Sequence, residues 1–389
     1  MTHQALEALL SEPISCVRER ERTTLERLLS DHGNKVVLFG AGNLGRRTLA
    51  CLQSIGIEPL ALSDNNPSLW GTAVNGVPIL EPRVAVEKFG TEALFIVTMW
   101  NTTQWYADTR LQLTDLGCRY ISPVSPVYWR FADTFLPFFA QDLPHKVYES
   151  SADVMKAADI WADDRSREEY LKQVRWRTLA DWDFIRQGIE ESYFPDRIFH
   201  LSPQEAFVDC GAFDGDTIRS IVARRGADFQ HIVAIEPDPG TFQTLRSYSA
   251  GLPNEIQNKI TFHQCAVGAE RGVVRFEDSG SLGSRVSDDG QVTIDSIPIS
   301  ELVGPLPVSY IKMDIEGAEF DALVGAQRVI ERDRPLLAIC VYHRQDDLWR
   351  LPLLMKKMLP DHRFYLRLHE SDGWQTVAYA VPPSRVIAA

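Results

Sequence analysis

The sequence predicts an α/β protein of two doubly wound, Rossmann-like domains joined by a helical bridge, the second with a seven-stranded sheet ending in an antiparallel hairpin. Three observations predict it. An apolar strand-length run, a glycine loop and a helical run follow one another twice, from residue 35 and from residue 205, as they do where a doubly wound domain opens its ligand site. Strand-like and helical stretches alternate through both halves. After strand patterns at 336–342 and 364–368, a last one at 376–381 returns across a turn at Asp372-Gly373, which makes the closing hairpin. A chain of 389 residues exceeds one ordinary core. The boundaries expected are 1–33 for a leading helical segment, 34–146 for the first Rossmann-like domain, 147–200 for the bridge and 201–389 for the second domain.

Composition narrows the class. With 44% apolar and 24% charged residues the chain reads as a soluble globular protein. A formal net charge of −13 argues against nucleic acid as a partner and against docking on anionic lipid. Cys16, Cys51, Cys118, Cys210, Cys265 and Cys340 stand singly, without a CxxC pair, which reads as reduced thiols in a cytoplasmic protein. The N-terminal stretch lacks the apolar core of a signal peptide, and no run reaches membrane-spanning length.

The leading segment has apolar residues at helical spacing interrupted by Pro13. It either packs on the next domain or offers a contact surface to a second copy of the chain, and the charged run 18–22 is a solvated face. The buried-strand pattern at 35–39 then leads into GAGNLG, with Gly40, Gly42, Asn43 and Gly45, and Asp64 closes the next strand. This loop has no carboxylate, and Arg46 and Arg47 stand at the helix start, so an anion is welcome. Together with DNNP at 64–67, GVPIL at 76–80 and the strand at 93–98, the domain resembles the nucleotide-sugar-binding domain of sugar N-acyltransferases. That resemblance implies a nucleotide or nucleotide sugar at Gly40, Gly42, Asn43, Gly45 and Asp64. An NAD site and a structural module with an empty loop compete with it, and Asp64 has the alternative of capping the following turn.

In the bridge, Trp161, Tyr170, Val174 and Leu179 line an apolar stripe, while Asp163, Asp164, Glu168 and Glu169 alternate with basic residues on the other face. Tyr193-Phe194-Pro195 is either part of a lid over a cofactor or an aromatic packing anchor.

The second glycine loop, in EAFVDCGAFDGDT at 205–217, carries Asp209, Asp214 and Asp216. A pyrophosphate would be repelled there, whereas a cofactor with positive charge and no phosphate fits, and S-adenosylmethionine is the common one. HIVAIEPDP at 231–239 ends its strand in Glu236, placed to accept hydrogen bonds from both ribose hydroxyls. These segments, with AVGAERG at 266–272 and IKMDIEGAEFDAL from 311, resemble the FkbM family of S-adenosylmethionine-dependent methyltransferases over 205–382. The resemblance implies O-methylation of a small hydroxylated molecule, a sugar or nucleotide sugar among the candidates, with cofactor contacts at Asp209, Gly211, Glu236 and Asp238. The candidate cofactor set extends along the same segments to Phe213, Asp214, Gly215, Asp216, Thr217, Pro237 and Ala266. Ser281 and Ser284, in a Ser/Gly-rich loop, are further candidates for the adenine or the acceptor.

Methyl transfer from a sulfonium needs alignment above all, and a base helps a hydroxyl that is hardly ionised. Asp314 or His343 is the candidate base, with Lys312 orienting it or stabilising the alkoxide, while Glu316 and Glu319 fix the loop and helix start. His369 is expected at the same rim as His343. No metal is assigned. A divalent ion on Asp314, Glu316 or Glu319 and His343 is the rival within enzymes, and a bare Lys312–Asp314 ion pair the structural alternative. Outside enzymes, the rival is a nucleotide-sugar-binding or scaffolding protein whose second domain binds the cofactor without turnover.

Overall fold

The computed structural model describes residues 2–185, 191–277, 285–286 and 292–387. Two compact units divide the chain, one of 1–152, 171–188 and 370–374, the other of 153–170, 189–369 and 375–389.

The first unit begins with helices Thr2–Leu10 and Ile14–Asp31, separated at Pro13. Val17, Glu21, Leu25 and Leu29 form the buried stripe of the longer one, four residues apart as one helix face requires. Its sheet contains β1 (Val36–Phe39), β2 (Ala61–Ser63), β3 (Ala73–Val74), β4 (Val77–Leu80), β5 (Leu94–Val97) and β6 (Tyr120–Pro123) in the order β3-β4-β2-β1-β5-β6, parallel except for β3. Every residue of β1, β2 and β5 is buried, as for strands covered on both faces.

The second unit holds β7 (Ala206–Cys210), β8 (His231–Ile235) and β9 (Ile260–His263), then β10 (Ala266–Val267), β11 (Gly272–Glu277), β12 (Arg285–Val286) and β13 (Val292–Ile297), and finally β14 (Tyr310–Met313), β15 (Leu336–Cys340), β16 (Arg363–Leu368) and β17 (Thr376–Val381). Its seven-stranded sheet runs β16-β17-β15-β14-β7-β8-β9, with β17 antiparallel to both neighbours. The expected terminal hairpin is therefore present.

Two placements differ from expectation. β10 to β13 form a separate four-stranded sheet beside the seven strands of the main one. Ser281 and Ser284 lie outside the described residues. The bridge is also shared out. Trp161 packs on Tyr170 and Asp163 pairs with Arg367 in the second unit, whereas Trp176 and Trp182 pack on Trp100 in the first. In helix Asp164–Leu179, Gln173, Trp176 and Arg177 are buried beside Tyr170 and Val174, so this helix is covered on more than the one face its apolar stripe suggests.

Candidate functional site

In the second unit the chain order reverses between β7 and β14, the point at which doubly wound sheets open their ligand crevice. The loop after β7 turns at Gly211, with φ +76°, and a Cβ there would stand 1.9 Å from the Asp314 carbonyl oxygen. Only glycine lets this loop pack on the end of β14. Phe213 and Gly215 also have positive φ, and helix Asp216–Arg225 follows.

At the end of β8, Glu236 accepts the N–H groups of Phe213 and Asp238, each at 2.9 Å. It thereby ties the glycine loop to the next strand. Burial pushes its carboxyl up to about 7, against the pull of those two N–H groups. Asp238, after Pro237, caps helix Pro239–Ala250 by accepting the Thr241 N–H at 2.8 Å. Asp214 pairs with Arg219 at 2.6 Å, and exposed Asp216 accepts the N–H of buried Thr217 at 2.6 Å. Ala266 is buried in β10.

Lys312 lies opposite Asp209 in the β14–β7 register. Its ammonium sits 3.1 Å from Asp209 Oδ1, donates to the Gly211 carbonyl at 2.5 Å and stands 5.2 Å from the centre of the Tyr193 ring. Burial pushes Asp209 up to about 6 while Lys312 pulls it down. Both groups are fully buried. The ion pair of Lys312 is therefore with Asp209, and with its hydrogen bond to Gly211 it ties the loop to β14.

Asp314, just beyond β14, is the hub of the site. Its Oδ2 lies 2.7 Å from the Tyr193 hydroxyl and 3.2 Å from Gln375 Nε2, and its Oδ1 lies 3.1 Å from the Tyr342 hydroxyl and 3.2 Å from His343 Nε2. Burial opposes its ionisation, but the hydrogen bond from His343, the nearby Lys312 and the Tyr193 hydroxyl hold it well below the usual carboxylate range. The other imidazole nitrogen, Nδ1, meets Glu319 Oε1 at 2.7 Å. Burial opposes protonation of His343, yet Glu319, Glu316 and Asp314 raise it well above its ordinary value. Both ring nitrogens of His343 thus face carboxylates, Asp314 at one and Glu319 at the other. Glu319 also accepts the Ile315 N–H at 2.9 Å, and Glu316 occupies a left-handed turn with Oε1 3.9 Å from His343 Nε2. With carboxylates at both nitrogens, the imidazole is engaged as a donor, and among the described residues no three acidic, His or Cys side chains are grouped to hold a metal ion.

Tyr193, Tyr342 and Gln375 were not assigned to the chemistry from the sequence. Tyr193 has positive φ, its N–H donates to the Tyr379 hydroxyl at 3.0 Å, and its carbonyl accepts from Tyr310. His369 Nε2 is 2.8 Å from that Tyr379 hydroxyl. It supports Tyr193 through Tyr379.

In the first unit, Gly40 has φ +118° and a Cβ on Gly45 would stand 1.8 Å from the Gly40 carbonyl oxygen, so the two glycines make the tight loop. Gly42 and Asn43 stand exposed at the start of helix Asn43–Ser54. Asp64 accepts the N–H of Ala41 at 2.7 Å and that of Asn66 at 2.8 Å.

Residues 209–370 match the family profile of the FkbM methyltransferase domain. The crystal structure of a methyltransferase FkbM from Methylobacillus flagellatus KT is similar at a TM-score of 0.73 and 24% identity, covering 97% of this chain and 98% of that one. This likeness is one of fold. Aeropyrum pernix fibrillarin with bound S-adenosylmethionine is similar over 48% of this chain and 69% of its own, at 11% identity and a TM-score of 0.27. A Rex-family repressor, RSP, is similar over 26% and 48%, at 22% identity and a TM-score of 0.20. No curated protein matches the chain.

Proposed function

Residues 209–370 are a methyltransferase domain of the FkbM family, and from that premise we infer that the protein transfers the methyl group of S-adenosylmethionine to a hydroxyl of a small molecule, a sugar or nucleotide sugar among the candidates. The observation that carries the cofactor assignment is Glu236. A carboxylate has about four lone-pair sites, and the N–H groups of Phe213 and Asp238 take two. The remaining pair suits two vicinal ribose hydroxyls beside the glycine loop. When bound, S-adenosylmethionine supplies a methyl group already activated on a sulfonium.

The chain's own residues then have to place an oxygen. Asp314 is a fixed anion whose lone-pair sites, about four, face Tyr193, Gln375, Tyr342 and His343, so the acceptor's hydroxyl donates to it by taking the place of one of these groups, and alignment of this kind is worth roughly 7–11 kcal/mol. Its low basicity suits late proton transfer: once oxygen has gained the methyl carbon it is strongly acidic, and even a weakly basic carboxylate takes its proton. His343 and Glu319 keep that carboxylate ionised and aimed.

Incubation of the full-length protein with radiolabelled S-adenosylmethionine and a panel of free sugars, nucleotide sugars and amines tests the reading. Label should pass to a hydroxylated acceptor, and Asp314→Asn should lower kcat by about 10²-fold or more with cofactor affinity retained. Labelling of amines alone, or full activity in Asp314→Asn, contradicts it.

A further inference from the structure

We infer that the first unit carries a ligand site of its own, for a nucleoside diphosphate or a molecule that contains one. The order of its sheet reverses between β1 and β5, where such sheets bind ligands. A cleft of about 430 Å³ opens there, lined by Gly42, Asn43 and Arg47 after β1, Asp64 after β2, Trp100 after β5, and Tyr128. That size falls within the roughly 300–1,000 Å³ of small-molecule sites.

The two sides of the cleft differ in chemistry. On one, Gly42 precedes a helix of 12 residues, whose first-turn N–H groups have no intrahelical acceptor and carry the positive end of the dipole. Arg47 adds a full charge one turn on. Its guanidinium donates to the Thr134 carbonyl and lies 4.8 Å over the Phe135 ring, so the cation is anchored to the cleft wall. This side takes phosphate. On the other, the rings of Trp100 and Tyr128 lie 5.3 Å and 6.3 Å from that of Phe138, an aromatic wall suited to a planar base. Asp64, the carboxylate of the lining, faces the N–H groups of Ala41 and Asn66, and its remaining lone pairs suit ribose hydroxyls.

The independent sign of a missing partner is Tyr128. It is 1% exposed, it lines the cleft, and its hydroxyl has no hydrogen-bond partner among the described residues. A buried hydroxyl left unbonded is costly. A phosphate oxygen or a base carbonyl in the cleft would accept its proton.

Calorimetric titration of the full-length protein with UDP, ADP, NAD+ and inorganic phosphate tests the site, in the wild type and in Tyr128→Phe and Gly42→Val. A Cβ at Gly42 meets nothing within 4 Å and its φ of −73° suits any residue, so that variant folds and fills the mouth of the cleft. At least one nucleotide should bind at one site per chain and more tightly than phosphate. Tyr128→Phe should weaken it about fivefold to tenfold and Gly42→Val should abolish it, while S-adenosylhomocysteine affinity stays unchanged in both. Preference for UDP or ADP identifies a mononucleotide, and preference for NAD+ identifies the same diphosphate within a dinucleotide. Failure of every nucleotide to bind at millimolar concentration, or equal affinity in all three proteins, overturns the inference. The S-adenosylhomocysteine arm shows separately whether the methyl-transfer reading stands.

Discussion

Glu236 was legible as an acid at a strand tip because HIVAI before it is a short apolar run ended by Pro237 and the helix start. Its two backbone partners were not, since they depend on how the Phe213 turn folds back, which no spacing encodes. Those partners and its burial set its pH behaviour. With its carboxyl pushed up to about 7, the free protein at neutral pH holds a mixture of protonated and ionised Glu236. The ionised form offers ribose hydroxyls more acceptor sites, so S-adenosylhomocysteine affinity should rise as pH increases through about 7 and level off above it. Glu236→Gln should flatten that profile, and an equally steep profile in the variant would assign the titration elsewhere. The folded value lies above the unfolded one of 4.5, so the native state keeps a proton that the unfolded chain releases. Its contribution to stability therefore falls as pH rises from about 4.5 to about 7. Tyr193 was the harder residue to read. It lies outside every motif, in the stretch before β7, and reaches Asp314 only because the chain turns through a left-handed residue beneath Tyr379 and Tyr310.

At the scale of elements, strand alternation correctly put Lys312 and Asp314 two residues apart on β14 and its end, but the partner of Lys312 depended on cross-strand register. Pairing of Lys312 with Asp209 is a property of two strands 103 positions apart in the chain, and hydrophobic patterning identifies each strand without aligning them. The consequence is measurable by urea denaturation. Lys312→Met leaves the Asp209 carboxylate buried without its counter-charge and should cost about 3–5 kcal/mol. Asp209→Asn combined with Lys312→Met should cost clearly less than the sum of the single changes, and strict additivity would mean that the pair is not coupled. The four-stranded sheet of β10 to β13 was missed for a related reason. Its strands are short or part exposed, with Val273 and Val292 at the surface, so the burial pattern that reveals a central strand is absent.

At the scale of the whole molecule, the two glycine loops share one order of strand, turn and helix, and both ended at the reversal point of a mainly parallel sheet. That much follows from composition and pattern. The allotment of 153–170 to one unit and 171–188 to the other does not, because a mixed-charge helical run with Trp161, Tyr170, Val174 and Leu179 as its apolar stripe reads as a single bridge. The charge contrast between the loops also changed in meaning. Asp209 is compensated by Lys312 and Asp214 by Arg219, so the difference that remains is Glu236 and exposed Asp216 in the second unit against Arg47 in the first. We propose that the acidic loop takes S-adenosylmethionine. Calorimetric titration of the full-length protein with S-adenosylhomocysteine, in the wild type and in Glu236→Ala, tests it most directly. The prediction is one site per chain, weakened about tenfold or more by the substitution. Absence of binding to the wild type, or the same dissociation constant in both proteins, would contradict it.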